Sequence, residues 1–198
     1  VGWVVGHSYI VYGPLLAGAT TVLYEGKPIG TPDPGAFWRV ASDYGVKALF
    51  TAPTAIRAIR KEDPDAAFLG EIGTGGLQAI FLAGERADPD TIAWLEEKSG
   101  LPVIDHWWQT ESGWPMLSIP MGIEPRKVKP GSAGLPVFGY DIQILDEDGV
   151  MKEKNSEGNV VIKLPLPPGC LPTLWKNDDR YAKEYLSTYH GYYLTGDG

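Results

Sequence analysis

Short apolar segments alternate with helical patterns in the first half of the chain, and this alternation is the feature that most limits the possible folds. Residues 47–51, 79–83 and 102–105 are typical of buried strands, whereas residues 53–61 and 89–99 are typical of helices. Strands that alternate with helices form a largely parallel sheet covered on its faces by those helices. The sequence therefore predicts an α/β fold.

Further elements are expected on either side of the first strand. Residues 8–19 predict a helix and residues 20–24 a buried strand. Residues 34–44 predict another helix with Asp33 as its N-cap, and Asp88 is placed to cap the last helix of this half.

The second half of the chain has a different character, with many Pro- and Gly-rich turns and short strands. Residues 141–145 and 159–163 predict two of these strands, and residues 146–149 predict a hairpin turn. We therefore expect one domain with two parts: an α/β part, residues 1–112, and a β-rich lobe, residues 113–198.

Composition excludes several classes of protein. The formal net charge is -8 and no basic stripe is present, which argues against a nucleic-acid partner. Cys170 is the one cysteine, so no internal disulfide forms, and no apolar run approaches the ~20 residues of a membrane span. These features fit the cytoplasm, or the mitochondrial matrix if the source is eukaryotic. They predict no particular oligomeric state.

Two loops follow predicted strands at the edge of the sheet where ligands usually bind. In an open parallel sheet, the ligand crevice lies outside the carboxyl ends of the strands. Residues 81–83 run into the loop 84–86, and residues 103–104 run into the segment 105–113, which is rich in polar and aromatic side chains. We expect the functional residues in these two loops.

The second loop contains groups suited to a phosphate ligand. The hydroxyl of Thr110 and the amide of Gln109 can hold phosphate oxygens, and Glu111 offers the hard oxygen ligand that Mg²⁺ prefers. The pair Trp107 and Trp108 has a plainer interpretation as core packing, because tryptophan is highly buried on average. An alternative function, a sugar- or aromatic-binding module, is suggested by seven Trp and ten Tyr and would use exposed rings without a nucleotide.

The segment from Asp105 to Gly113 reads DHWWQTESG and closely resembles the DxWWQTETG signature of short-chain acyl-CoA synthetases in the AMP-binding, adenylate-forming superfamily. Further segments are similar to acetyl- and propionyl-CoA synthetases, at residues 1–9, 12–14, 18–21, 51–57 and 193–198. The resemblance implies part of the large N-terminal domain of that fold and an acid-thiol ligase. Such an enzyme uses ATP, Mg²⁺ and coenzyme A to convert a small carboxylate to acyl-CoA, through an acyl-adenylate.

The resemblance also implies roles for individual residues. The family's adenine and ribose segment resembles Gly84, Glu85 and Arg86, although acetyl-CoA synthetases usually carry Gly-Glu-Pro there. Its loop around the adenine and α-phosphate resembles Asp105, His106, Trp107, Trp108, Gln109 and Thr110. Glu111 matches the glutamate associated with Mg²⁺, and Asp197 the aspartate that binds the ribose hydroxyls. Thr110 and Glu111 are the expected catalytic residues.

The expected acid is propionate, with acetate as the alternative. Trp108 resembles the floor of the family's acyl pocket, and Val4, Val5 and Ala83 resemble its walls. Acetate-specific relatives tend to have valine at the position of Ala83, and the smaller alanine leaves room for roughly one more methylene, worth ~1 kcal/mol on burial.

The resemblance implies that the family's phosphate loop lies before Val1 and that its C-terminal domain, with the lysine that assists adenylation, lies after Gly198. We therefore expect no turnover from these 198 residues alone. A nicotinamide-dependent dehydrogenase would need a glycine fingerprint that the sequence does not contain. The three histidines have no metal-ligand spacing, so no structural metal is expected.

Overall fold

Three parallel strands form the sheet of the first half in the computed structural model, which describes residues 4–198. They are β1 (Ala48–Thr51), β2 (Ala79–Leu82) and β3 (Val103–Asp105), adjacent in that order. Leu82 pairs with Thr51 on one side and with Asp105 on the other, so the three strands end at the same edge. The predicted α/β fold is confirmed.

Helices connect these strands. Helices α1 (Gly13–Leu16) and α2 (Ala36–Asp43) precede β1, α3 (Pro53–Glu62) and α4 (Ala67–Ile72) separate β1 from β2, and α5 (Pro89–Ser99) joins β2 to β3. The main core lies between these helices and the sheet, and its largest fully buried side chains are Trp38, Ile56, Ile59, Ile80, Leu82, Ile92, Leu95 and Val103. Across the described residues, no helix is long and apolar enough to cross a membrane.

Antiparallel strands dominate the second half. The short pair β4 (Leu117–Ser118) and β5 (Leu135–Pro136) is followed by a sheet of β6 (Ile142–Leu145), β7 (Asn159–Lys163) and β8 (Tyr192–Leu194), in that order. The predicted strands at 141–145 and 159–163 are confirmed to within one residue. Between β7 and β8, helix α6 (Asp178–Tyr181) continues directly into a π-helical segment, Ala182–Leu186.

The structure corrects the interpretation of the N-terminal segments. The predicted strand at 20–24 is wrong: the segment pairs with no strand among the described residues, and Leu23 is 65% exposed. The single helix predicted over 8–19 is instead a π-helical turn, Gly6–Tyr12, followed by α1, which ends at Leu16. The Gly13 N–H bonds to the Ser8 carbonyl oxygen, and Pro14 has no N–H with which to continue the ladder.

The two predicted helix caps have different outcomes. Helix α2 begins at Ala36, with Gly35 at the N-cap position, so the prediction that Asp33 caps it is wrong. The Asp33 carboxylate instead accepts hydrogen bonds from the Gly35 N–H at 2.8 Å and from Arg39 at 2.6 Å. Asp88 caps α5 as predicted, because its Oδ1 accepts from the Thr91 N–H at 2.8 Å.

The Asp88 cap generates a stability prediction. Asp88→Ala removes an N-cap hydrogen bond, which costs about 1 kcal/mol, whereas the exposed ion pair of Asp88 with Arg57 contributes little. Asp90→Ala is the matched control, because it removes the same charge from the first turn but no cap bond. In urea unfolding followed by tryptophan fluorescence, Asp88→Ala is expected to lower the free energy of unfolding by about 1 kcal/mol more than Asp90→Ala. Equal losses would contradict the capping role.

Candidate active site

The base of the site is Asp105, the last residue of β3. Its side chain is buried, and Oδ2 accepts a hydrogen bond from the Ala87 N–H at 3.1 Å. Burial raises the pKa of Asp105, although backbone hydrogen bonds from Ala87 and His106 act in the opposite direction. The contact fixes the loop after β2 beside the loop after β3, so the two loops that the sequence selected lie next to each other.

His106 is also buried and forms part of this base. Its Nδ1 lies 2.6 Å from the Leu82 carbonyl oxygen, which can only accept, so Nδ1 carries the proton. Burial lowers the pKa of His106, and the ring is therefore neutral near pH 7. Phe50 and Phe81 meet the ring at centroid distances of 5.3 and 5.7 Å. The imidazole is therefore turned away from solvent, and its hydrogen bond to Leu82 attaches the loop after β3 to β2.

Trp108 belongs to an aromatic cluster above this base. Its ring meets Tyr9 edge-on at 5.0 Å, lies 6.5 Å from Phe50, and stacks on His106 at 6.4 Å. The side chain is half-buried, as is that of Trp107. Neither ring is the exposed platform that a sugar-binding module would use, whereas both have specific polar or aromatic neighbours.

The predicted acyl-pocket residues occupy different positions around this cluster. Ala83 is buried at the end of β2, where its N–H bonds to the Thr51 carbonyl oxygen at 3.2 Å. Val5 is half-buried, and Val4 lines the cleft described below. Within the described residues, the cleft brings Val4 to the loop after β3 but does not include Ala83, Val5 or Trp108 in its lining.

Gln109 joins the loop after β3 to the turn after β8. Its Nε2 donates to the Thr195 carbonyl oxygen at 2.8 Å and lies 2.9 Å from Asp197 Oδ2. The indole N–H of Trp107 also points to that carboxylate oxygen, at 3.2 Å. Asp197 is exposed, and among the described residues its Oδ1 accepts no hydrogen bond from the protein. Residues almost 90 positions apart in sequence thus meet around one carboxylate that keeps an oxygen for a ligand.

A cleft of about 430 Å³ lies between residues 110–114 and 168–172. Thr110 and Glu111 line it, and the Thr110 side chain is exposed. Ser112 is buried and shapes the turn, because its hydroxyl accepts from the Gln109 N–H at 3.0 Å and lies 2.9 Å from the Gln109 carbonyl oxygen. The two expected catalytic residues therefore face a common space.

Glu111 is the cleft carboxylate suited to a cation. It is half-buried, and its Oε1 accepts a hydrogen bond from the Tyr185 hydroxyl at 3.1 Å. The part of the chain that the structure describes contains no cluster of three or more His, Cys, Asp or Glu that could hold a metal ion. One carboxylate is nevertheless enough for the way Mg²⁺ binds with nucleotides, where phosphate oxygens and waters supply the other ligands. The donor set of the cleft thus fits Mg²⁺ carried by a nucleotide.

The loop after β2 is held from the opposite side, by helix α3. Glu85 accepts hydrogen bonds from the Thr54 hydroxyl and from Arg57, the latter at 2.7 Å. The Thr54 hydroxyl, and then Arg57, lower the pKa of Glu85. Arg86 is exposed and donates from Nε to the Gly131 carbonyl oxygen at 3.4 Å. Gly84 has φ +101°, a conformation that favours glycine.

Sequence reasoning missed two groups of this site. Arg57 is the cation that holds Glu85, and its spacing in sequence gives no sign of that pairing, because the ion pair joins residues from two separate elements. Tyr185 contacts Glu111 from a π-helical segment, and the local sequence of that segment gives no sign of a functional role. Tyr193 donates from its hydroxyl to Gln109 Oε1 at 3.4 Å. Arg57 and Tyr193 both lie in segments that resemble the family, 51–57 and 193–198, so the sequence indicated these positions but not their contacts.

Comparisons with known proteins identify the family of the chain. The family model described as "AMP-binding enzyme" matches residues 1–167. A protein of Pseudomonas aeruginosa described as uncharacterized is 56% identical over all 198 residues, which cover 32% of that protein. Acyl-CoA synthetase short-chain family member 3, mitochondrial, from Homo sapiens is 52% identical over all 198 residues, 29% of its length. Propionate–CoA ligase from Salmonella typhimurium is 46% identical over 191 residues, 96% of this chain and 30% of the ligase.

The chain thus spans about a third of the length of the curated relatives it matches. The family model covers most of the chain, and the relatives align with nearly all of it. The chain belongs to the AMP-binding enzyme family.

Proposed function

We propose that the protein is an ATP-dependent short-chain carboxylate–CoA ligase that forms an acyl-adenylate and then transfers the acyl group to coenzyme A. The observation that carries the proposal is the Asp197 carboxylate, which Trp107 and Gln109 hold beside the loop that bears Thr110 and Glu111. Membership of the AMP-binding enzyme family and the names of the synthetase and ligase relatives support it.

In this proposal, Asp197 binds the ribose. A carboxylate can accept hydrogen bonds from two vicinal hydroxyls. Because Oδ2 of Asp197 already accepts from protein N–H groups, Oδ1 is the oxygen most available to the sugar. The nucleotide then lies where the predicted α/β part, residues 1–112, meets the predicted β-rich lobe, residues 113–198. Gly84, Glu85 and Arg86 form the adenine side of the site.

The chemical step takes place at the α-phosphate, next to Thr110 and Glu111. The carboxylate oxygen of the acid attacks the α-phosphorus, the bond to the bridging oxygen breaks, and pyrophosphate leaves. The Thr110 hydroxyl is placed to donate to an α-phosphate oxygen, and Glu111 would hold Mg²⁺, which would neutralise the charge that builds on the transferred phosphorus. In the second step, the CoA sulfur bonds to the acyl carbon, AMP leaves, and the thiol proton is released.

The proposed acid is propionate, with acetate as the alternative. Trp108 forms the floor of the acyl pocket and Val4, Val5 and Ala83 its walls. Two observations support this assignment: the packing of Trp108 against Tyr9 and His106, and the small side chain at position 83. The name of the Salmonella relative, a propionate–CoA ligase, points the same way.

The proposed compartment is the cytoplasm, or the mitochondrial matrix in a eukaryote. Mammalian relatives are named as mitochondrial proteins, whereas bacterial relatives are comparably similar. ATP, coenzyme A and the acid are the proposed small-molecule partners.

The proposal predicts acid-dependent exchange of pyrophosphate into ATP by the full-length protein. Asp197→Asn is expected to raise the KM for ATP about tenfold or more, because it weakens a charge-assisted hydrogen bond to the ribose. Asp148→Asn, an exposed turn residue outside the site, is the matched control and is expected to leave exchange unchanged. Absence of exchange with acetate, propionate and butyrate alike would sink the proposed reaction.

Substitutions in the proposed acyl pocket are expected to change the preference among acids, which is measured as kcat/KM for each acid in competition. Trp108→Gly removes the proposed floor of the pocket. It is expected to raise the ratio of kcat/KM for butyrate to kcat/KM for propionate about tenfold or more, because one methylene in an apolar pocket is worth about 1–3 kcal/mol. Trp175→Gly is the control, because Trp175 is 87% exposed and lies outside the site. Ala83→Val is expected to shift preference toward acetate. An unchanged acid preference in both pocket variants would show that the pocket lies elsewhere.

A further inference from the structure

Tyr185 contacts the cleft residue Glu111 from a part of the chain remote in sequence. It lies on the π-helical segment 182–186, 74 positions after Glu111, and its hydroxyl donates to Glu111 Oε1 at 3.1 Å. The side chains of both residues are half-buried. The contact therefore links the segment before β8 to the cleft carboxylate.

The Tyr185 ring is fixed independently of its hydroxyl. It stacks on Tyr193 with a centroid distance of 5.4 Å and an interplanar angle of 11°. Tyr193 is 2% exposed and lies in the centre of β8, and the Tyr181 ring lies 5.5 Å from the Tyr185 ring. Contacts with two aromatic neighbours restrict the Tyr185 ring, so its hydroxyl is positioned independently of the bond to Glu111.

Glu111 is also held at its backbone. Its carbonyl oxygen accepts from the Leu171 N–H at 2.7 Å, on the far side of the cleft. With the backbone anchored and Oε1 bonded to Tyr185, the carboxylate has few orientations left. Among the described residues Oε2 accepts no hydrogen bond, so this is the oxygen available to a ligand in the cleft.

We propose that Tyr185 is a positioning residue for Glu111, holding Oε1 so that Oε2 is presented to the Mg²⁺ that accompanies ATP. The inference rests on the proposed function, which gives Glu111 its role toward the metal, and deepens it by naming the group that orients that carboxylate. A hydrogen bond on Oε1 would favour Oε2 as the oxygen that binds Mg²⁺, and outer groups that orient a metal ligand in this way support metal affinity.

The test separates the hydroxyl from the ring. Tyr185→Phe keeps the stack on Tyr193 and removes only the bond to Glu111. Tyr189→Phe is the matched control: it removes the hydroxyl of a nearby tyrosine that accepts from the Asn159 side chain at 2.9 Å, away from the cleft. The dissociation constant of ATP is measured by calorimetry on the full-length protein, once with Mg²⁺ and once with EDTA.

Tyr185→Phe is expected to weaken binding of ATP with Mg²⁺ about fivefold and to leave binding in EDTA unchanged, as is typical of the loss of one hydrogen bond that orients a metal ligand. Tyr189→Phe is expected to change neither value. In the Glu111→Gln background, Tyr185→Phe is expected to have no further effect, because the two changes then disrupt the same coordination.

Equal weakening with and without Mg²⁺, or no change in either, would overturn the positioning role while leaving the proposed function in place. Full-length protein that binds no ATP, or Glu111→Gln protein with unaltered Mg²⁺ dependence, would instead overturn the nucleotide and metal roles of the site, and the inference with them.

Discussion

The site depends on the hydrogen bonds by which Gln109, in the loop after β3 of the parallel sheet, binds the turn after β8 of the antiparallel sheet. One amide nitrogen reaches both the Thr195 carbonyl oxygen and the Asp197 carboxylate, and so ties the edge of a parallel sheet to the turn after an antiparallel strand. Neither element alone presents Asp197 beside Thr110 and Glu111. The tie also explains why the carboxylate can be exposed and yet oriented, since N–H donors restrict one of its oxygens.

Two buried polar residues hold the loop after β2 and the loop after β3 next to each other. Asp105 and His106 are both almost inaccessible, and each bonds to backbone of the neighbouring strand or loop. A buried carboxylate without such a partner would cost several kcal/mol, so the bond to the Ala87 N–H is a condition of the arrangement. The resemblance assigns Asp105 and His106 to the nucleotide loop, and the geometry indicates that their most direct effect is to hold that loop in shape.

The strands of the parallel sheet, the cap at Asp88 and the strand at 159–163 could be predicted, because each carries a local signal: a short apolar segment, or a capping residue directly before a helix. The structure of segment 20–24 could not be predicted in this way, because an apolar run becomes a strand only when another strand pairs with it. The position of the loop 105–113 after a strand predicts that it carries functional residues, but it does not predict which residues contact their side chains. Arg57, Tyr185 and Thr195 come from separate elements, and contacts set by tertiary packing leave no periodic signal.

A crystal structure of the full-length protein with ATP and propionate would test whether the nucleotide binds between the loop 105–113 and the turn 195–197. We expect ribose hydroxyls within hydrogen-bonding distance of Asp197 Oδ1, with the phosphates beside Thr110 and Glu111. Nucleotide density elsewhere on the molecule, with Asp197 and Glu111 making only the protein contacts described above, would show that ATP does not bind here.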